Sequence, residues 1–146
     1  MNGAGNDFIL IDKVLNPNIK LSDKIISEMC KRAVGIGADG VLLINKHNKY
    51  DFKLKYYNSN GKVGSLCGNG SRCAISYVAS NYKIKNNEII FVCDGKTYSG
   101  ELLKKNLIKF HLHNPIDIKL SIEIKTNNYK VSGSYVDTGS PHVVIS

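Results

Sequence analysis

The residues best suited to chemistry lie in one run, Asn58-Ser59-Asn60-Gly61-Lys62-Val63-Gly64-Ser65-Leu66-Cys67-Gly68-Asn69-Gly70-Ser71-Arg72-Cys73. Cys67 comes immediately before a glycine-rich turn, and the pattern from Asn69 to about Ser80 predicts a helix. A thiol there feels the partial positive charge of the helix N-terminus, which favours the thiolate and so makes a base or nucleophile available. Gly68 and Gly70 let the backbone come close to a ligand, and the unpaired N–H groups of the first turn can hold a carboxylate. A base and an anion cradle therefore sit side by side. A buried cysteine next to a glycine turn would read the same way, and these residues alone leave both readings open.

The other thiols have simpler roles. Cys30 lies with Ile25, Ile26, Met29 and Ala33 on the apolar stripe of a helix predicted from Ser22 to about Ala33, which makes it a core residue. Cys73 follows Cys67 by six residues, about 9 Å along the helix axis and about 240° round it, so it cannot face Cys67 across a substrate carbon. Cys93 sits on a predicted strand beside Asp94-Gly95, without a helix N-terminus to activate it, and is expected to pack. Cys67 and Cys73 form no Cys-x-x-Cys pair, and His111 and His113 bracket one residue of an alternating strand, so no metal is expected.

Two glycine motifs fail on context. Gly35-Ile36-Gly37-Ala38-Asp39-Gly40 matches Gly-x-Gly-x-x-Gly, but a helix precedes it and a strand follows, the reverse of a dinucleotide site. Gly95-Lys96-Thr97 resembles the end of a phosphate loop, yet Ile90 stands where the first glycine is required. The formal net charge of +8 comes from 20 basic residues of which 18 are lysines, scattered from Lys13 to Lys130 among 16 asparagines and 17 isoleucines. Without an arginine cluster or a basic block beyond Lys104-Lys105 this is compositional bias, and no nucleic-acid partner is expected. No apolar run approaches the roughly 20 residues of a membrane span, and the start lacks the regions of a signal peptide. A cytoplasmic protein with reduced thiols and no membrane partner is expected.

Positioning these residues falls to a chain of 146 residues, 42% hydrophobic, long enough for one domain with a substantial core. Strands are predicted at Phe8 to Asp12, Val41 to Asn45, Asp51 to Asn58, Ile89 to Val92, Thr97 to Leu103, Leu107 to Leu112, Ile116 to Ile124, Tyr129 to Val136 and His142 to Ile145. Two helices among many short strands, the late ones closely connected, predict an α+β fold with a largely antiparallel sheet.

The chain also resembles the diaminopimelate epimerases. The resemblance is carried by Gly3-Ala4-Gly5-Asn6-Asp7-Phe8, by residues 35–40, by Asn58 through Cys67-Gly68-Asn69-Gly70-Ser71-Arg72, and by Val136-Asp137-Thr138-Gly139-Ser140-Pro141-His142. It implies a sheet wrapped around a central helix, one half of a pseudo-symmetric fold. It also implies inversion of the α-carbon of LL-diaminopimelate to the meso form, in lysine and peptidoglycan precursor synthesis, without pyridoxal phosphate or another cofactor. Two opposed cysteines would do the chemistry, one as thiolate base and one as thiol acid. By position Cys67 is one of them, Gly68, Asn69, Asn6 and Asn58 bind the amino-acid substrate, and His142 tunes the cysteine chemistry.

Three positions depart from the family pattern: Asn60 replaces an aspartate and Lys62 a serine, both in a turn, and Ser140 stands where the family has an asparagine at the substrate's distal end. The resemblance places the second cysteine in a C-terminal domain beyond Ser146, so this sequence is expected to be the N-terminal half and to lack turnover alone. A family strand ahead of the first motif is also expected to be missing, leaving a sheet edge open. The protein partners considered are that C-terminal domain and a second copy of the chain in a homodimer. Two other readings use the same residues: another epimerase of this fold, proline racemase-like, and a non-catalytic module that binds an amino acid or a partner.

Overall fold

The computed structural model describes residues 1–84, 86–104 and 107–145, which fall into two units, Met1–His111 and Leu112–Ser146. In the first unit seven strands lie in chain order in one sheet: β1 (Asn2–Gly3), β2 (Asn6–Asp12), β3 (Gly40–Asn45), β4 (Phe52–Asn58), β5 (Glu88–Cys93), β6 (Lys96–Lys104) and β7 (Leu107–His111). Helix α1 (Asp23–Cys30) separates β2 from β3 in sequence, and α2 (Gly68–Asn81) separates β4 from β5. Those two strand pairs are parallel and the others antiparallel, because a parallel neighbour needs a long crossover that a tight turn cannot supply.

Residues 40–44 of β3 are all buried, and the period of two sends them to opposite faces. Leu42 and Ile44 join Phe8, Phe52, Leu54, Ile75, Val78 and Phe91 in the core around α2, while Val41 and Leu43 join Ile26, Cys30 and Tyr57 on the α1 side. Helix α2 packs against β1, β2, β3, β4, β6 and β7. Strands at both ends of the sheet order touch one helix, so the sheet curls around it, and the expected sheet around a central helix is found.

Local details differ from the sequence reading for clear reasons. Ser22 caps α1, accepting from the N–H of Ile25 at 3.3 Å, but the helix ends at Cys30 instead of near Ala33. There the chain reverses: the N–H groups of Gly35, Gly37 and Ala38 bond to the carbonyls of Lys31, Met29 and Cys30, closing the helix end. The expected open edge at β2 is covered only at its start, where β1, a strand of two residues joined through Ala4 (φ 52°) and Gly5 (φ 94°), pairs with Asn6 and Asp7; both linking residues are in the left-handed region that suits a two-residue hairpin. Such a strand is too short to leave an alternation signal.

The C-terminal end of α2 is tied down by a buried carboxylate. Asp12 accepts at one oxygen from the hydroxyls of Tyr77 (3.0 Å) and Tyr82 (2.9 Å), and at the other from the N–H of Val14 (2.8 Å). Burial, then the bond to Asp12, pushes the ionisation of both tyrosines upward.

The second unit is a three-stranded antiparallel sheet in the order β10-β9-β8, with β8 at Ile116–Lys125, β9 at Lys130–Asp137 and β10 at Pro141–Ile145. Its pairing shifts register on both sides of Lys119, and Asp117 (φ 50°) and Ser121 (φ 54°) take the left-handed conformation of bulged positions. Ile116, Ile118, Leu120, Val143, Val144 and Ile145 are exposed, as expected where a single sheet layer has no second layer to cover it. Among the described residues no helix is long and apolar enough to cross a membrane.

Candidate active site

Cys67 is the N-cap of α2, as its position before the glycine turn implied. Its backbone is extended (φ −112°, ψ 111°), and its sulfur accepts from the N–H of Gly70 at 3.4 Å, an interaction stronger for a thiolate than for a thiol. The two glycines of the cap serve different ends. A Cβ on Gly70 would lie 2.8 Å from Cδ2 of the buried Leu42, so packing requires glycine there. A Cβ on Gly68 would meet only Nη1 of Arg72, at 3.9 Å, so packing does not require it and the space over the first turn is open.

Three of the sequence motifs meet at this helix end. Gly3 lets the opening hairpin lie on α2, since a Cβ there would come within 2.8 Å of both the Asn69 carbonyl oxygen and the Cys73 sulfur. That close approach delivers Asn6, whose Oδ1 accepts from Nδ2 of Asn69 at 2.7 Å. Asn6 donates in turn to Asp39 (3.0 Å), from the second motif, and Asn69 accepts from the guanidinium of Arg72. Asp39 also accepts from the Asp7 N–H at 3.0 Å and from Arg32 at 2.9 Å, while Arg32 reaches Asp7 at 3.0 Å. The hydrogen bond from Asn6, then those from the Asp7 N–H and Arg32, hold the Asp39 carboxyl below the usual carboxylate range. Asp7 is held low as well, first by Asn2 and then by Arg32.

Asn6 and Asn69 are thus joined at the helix end that Cys67 caps, with Gly68 between Cys67 and Asn69 in the chain. Asn58, at the end of β4, pairs in register with Gly40 beside Asp39, and its Nδ2 lies beside Gly64; among the described residues no bond joins its carboxamide to the array. The turn after it tolerates Asn60 in place of an aspartate because Asn60 Oδ1 accepts from the Lys62 N–H at 3.0 Å. His142 lies in the second unit, exposed on β10 and opposite Val136.

Asp39, Arg32 and Arg72 were given no role by the sequence reading, which took residues 35–40 as a failed nucleotide motif and as one carrier of the family resemblance. An Asp inside a motif shared with a family was the available signal. Tyr56, read only as one face of β4, also belongs here. Its ring lies between Gly40 and Gly64, where Cβ atoms would each come within 2.6 Å of ring carbons, and edge-on to Phe8 at 6.2 Å. Burial pushes its phenol upward, and negative charge on Cys67 and Asp39 adds to this.

The remaining thiols are core residues as expected. Cys30, Cys73 and Cys93 are buried, and desolvation pushes all three upward, Cys93 to about 11. Cys67 alone is partly exposed, and no group of three His, Cys, Asp or Glu residues is arranged to hold a metal among the described residues.

The curled sheet around a buried helix is a fold shared with larger solved proteins. A phenazine biosynthesis protein of the PhzF family from Bacillus anthracis superposes with a TM-score of 0.64 over 99% of this chain and 51% of that one, at 15% identity. A probable proline racemase from Agrobacterium radiobacter gives the same TM-score over 85% of this chain and 39% of that one, at 10% identity. The fold is that of the diaminopimelate epimerase-like class. Residues 1–144 match the family Diaminopimelate epimerase, and the chain belongs to that family. A diaminopimelate epimerase of Flavobacterium psychrophilum is 34% identical over 97% of this chain and 52% of its own length. The chain spans about half the length of the curated relatives it matches.

Proposed function

We propose that this chain is the N-terminal half of an amino-acid epimerase that converts LL-2,6-diaminopimelate to meso-diaminopimelate without a cofactor, in the cytoplasmic synthesis of lysine and peptidoglycan precursors. The observation that carries the proposal is the N-terminus of α2 in a chain of this family. A partly exposed thiol caps the helix beside an open glycine position, and two carboxamides converge next to it.

In this reading the Cys67 thiolate takes the α-proton and becomes a thiol, and the electron pair left on carbon is delocalised into the adjacent carboxylate. A thiol from the opposite face then gives its proton to that carbon, completing the inversion and leaving the second sulfur as thiolate. Charge grows on the carboxylate during the first step, and the N–H groups of Gly68 and Asn69 are placed to stabilise it. Asn6 and Asn69 each keep one amide N–H and one carbonyl lone pair beyond the bonds of the array, a neutral donor–acceptor set that suits a zwitterion. Asn58 contributes a further polar contact, and His142 tunes the cysteine chemistry. Cys73 and Cys93 are too buried to serve as the second acid, so a C-terminal domain supplies it. The length of the relatives and the uncovered apolar side chains of the second unit support such a domain.

The test is α-proton exchange. Diaminopimelate incubated in D2O with this chain is expected to gain deuterium slowly at one α-carbon, and to protect Cys67 from iodoacetamide. Absence of both exchange and protection would overturn the proposal and favour a non-catalytic module.

A further inference from the structure

Four side chains form a directed relay across the first turn of α2: Arg72 donates to Oδ1 of Asn69, Asn69 Nδ2 donates to Oδ1 of Asn6, and Asn6 Nδ2 donates to Asp39. We propose that Arg72 and Asp39 are positioning residues that together fix which way round the carboxamides of Asn6 and Asn69 face a bound amino acid. The inference rests on the reading of this helix end as the substrate site.

A carboxamide is nearly symmetric in shape, and packing alone does not distinguish its oxygen from its nitrogen. The ends of the relay do. A guanidinium only donates and an ionised carboxylate only accepts. Arg72 therefore draws the oxygen of Asn69 toward itself, which turns Nδ2 toward Asn6. Asn6 must then present its oxygen to Asn69 and its nitrogen to Asp39. Flipping one carboxamide sets N–H against N–H at one joint and oxygen against oxygen at the other. Flipping both repairs the middle joint and breaks both ends. Only the observed order satisfies every joint.

The acceptor end is anchored in turn. Asp39 is held by the Asp7 N–H and by Arg32, and the hydrogen bonds it receives keep it ionised and so unable to donate. Asn6 and Asn69 consequently point one remaining N–H and one remaining lone pair each in determined directions. A ligand with a carboxylate and an ammonium group can bind that pattern in one orientation, whereas freely flipping carboxamides would accept two. Arg72 and Asp39 make no hydrogen bond with each other among those of the described residues, so any coupling between them must pass through the two amides.

The experiment compares Arg72→Met, which removes the donor while keeping an aliphatic stem, with Arg72→Lys, which restores a donor. In the labelled chain without substrate, the side-chain amide 1H–15N resonances of both Asn69 and Asn6 are expected to move in Arg72→Met and to return toward the wild type in Arg72→Lys. Asn6 is the decisive residue, since Arg72 does not bond to it. Movement of Asn69 with Asn6 unmoved would overturn the relay. The concentration of diaminopimelate that half-protects Cys67 from iodoacetamide is expected to rise about tenfold in Arg72→Met, the weight of about one hydrogen bond, and to recover in Arg72→Lys. An unchanged concentration in Arg72→Met would equally overturn the positioning role. If Arg72→Met does not fold, Asp39→Leu, which removes the acceptor at the other end, is used instead, where movement of the Asn69 amide supports the relay and its absence refutes it. If diaminopimelate fails to protect even the wild type, the proposed function fails, and the amide resonances still decide the relay.

Discussion

The two ends of α2 treat polar groups in opposite ways. At the C-terminal end the buried Asp12 carboxylate receives two tyrosine hydroxyls and a backbone N–H, and both of its oxygens are engaged inside the protein. At the N-terminal end, among the described residues, the Cys67 sulfur accepts one N–H, the space over Gly68 is open, and the array uses half of the hydrogen-bonding capacity of Asn6 and Asn69. Burial demands that polar groups be paired, so a closed set marks a place where stability is the only requirement. An array with bonds still to make, backed by charged residues, is what the proposed substrate site requires. One helix thus carries a structural anchor at one end and the proposed reactive centre at the other.

The contrast can be broken by substitution. Cys67→Ser should have the largest effect, lowering α-proton exchange at least about 100-fold because a hydroxyl is a far weaker base than a thiolate. Exchange at the wild-type rate would remove Cys67 from the chemistry. At the other end Asp12→Ala takes the acceptor from two half-buried tyrosine hydroxyls and the Val14 N–H and should cost about 2 kcal/mol in urea unfolding, while the rate of Cys67 alkylation in the folded chain stays at its wild-type value. A loss below about 1 kcal/mol would show that this end is not the closed anchor described.

Gly68→Ala separates the two kinds of requirement at one residue. The open space predicts stability held or raised by up to about 1 kcal/mol, since alanine favours helix over glycine, together with roughly tenfold weaker protection of Cys67 by diaminopimelate. Unaltered protection would mean that ligand does not approach that backbone. The smallest effect is expected from pH. Tyr77 and Tyr82 ionise at higher pH in the folded chain than in the unfolded one, where tyrosine titrates near about 10. Their contribution is complete below that value and is lost as pH rises toward the folded-state ionisation, because the unfolded chain then holds fewer protons. Urea midpoints should therefore fall as pH rises above about 10 in the wild type, and fall less steeply in Tyr82→Phe.

Much of the frame was legible because it depends on local periodicity. The stripe of Ile26 and Cys30, the continuous apolar run of residues 40–44 and the alternation of Phe52 and Leu54 each announce a buried face by spacing alone. The two-residue β1 and the early end of α1 were not legible, since one is shorter than any period and the other depends on backbone bonds made after the helix stops. At the site, Cys67 could be read from its place before a glycine turn. Asp39, Arg32 and Arg72 could not, because their partners lie far off in sequence or are themselves oriented by residues from another motif.

By itself, then, the sequence determined the family, the type of fold, the position of the thiol at a helix start and the burial of the other three cysteines, all of which follow from motifs and from patterns over a few residues. Only the tertiary structure decided that motifs at positions 3–8, 35–40 and 67–72 share one hydrogen-bonded array, and that Gly68 is open while Gly70 is packed. The physical reason is the same throughout. Propensity and periodicity act along the chain, whereas hydrogen-bond direction and free space are set by which distant side chains arrive at the same point.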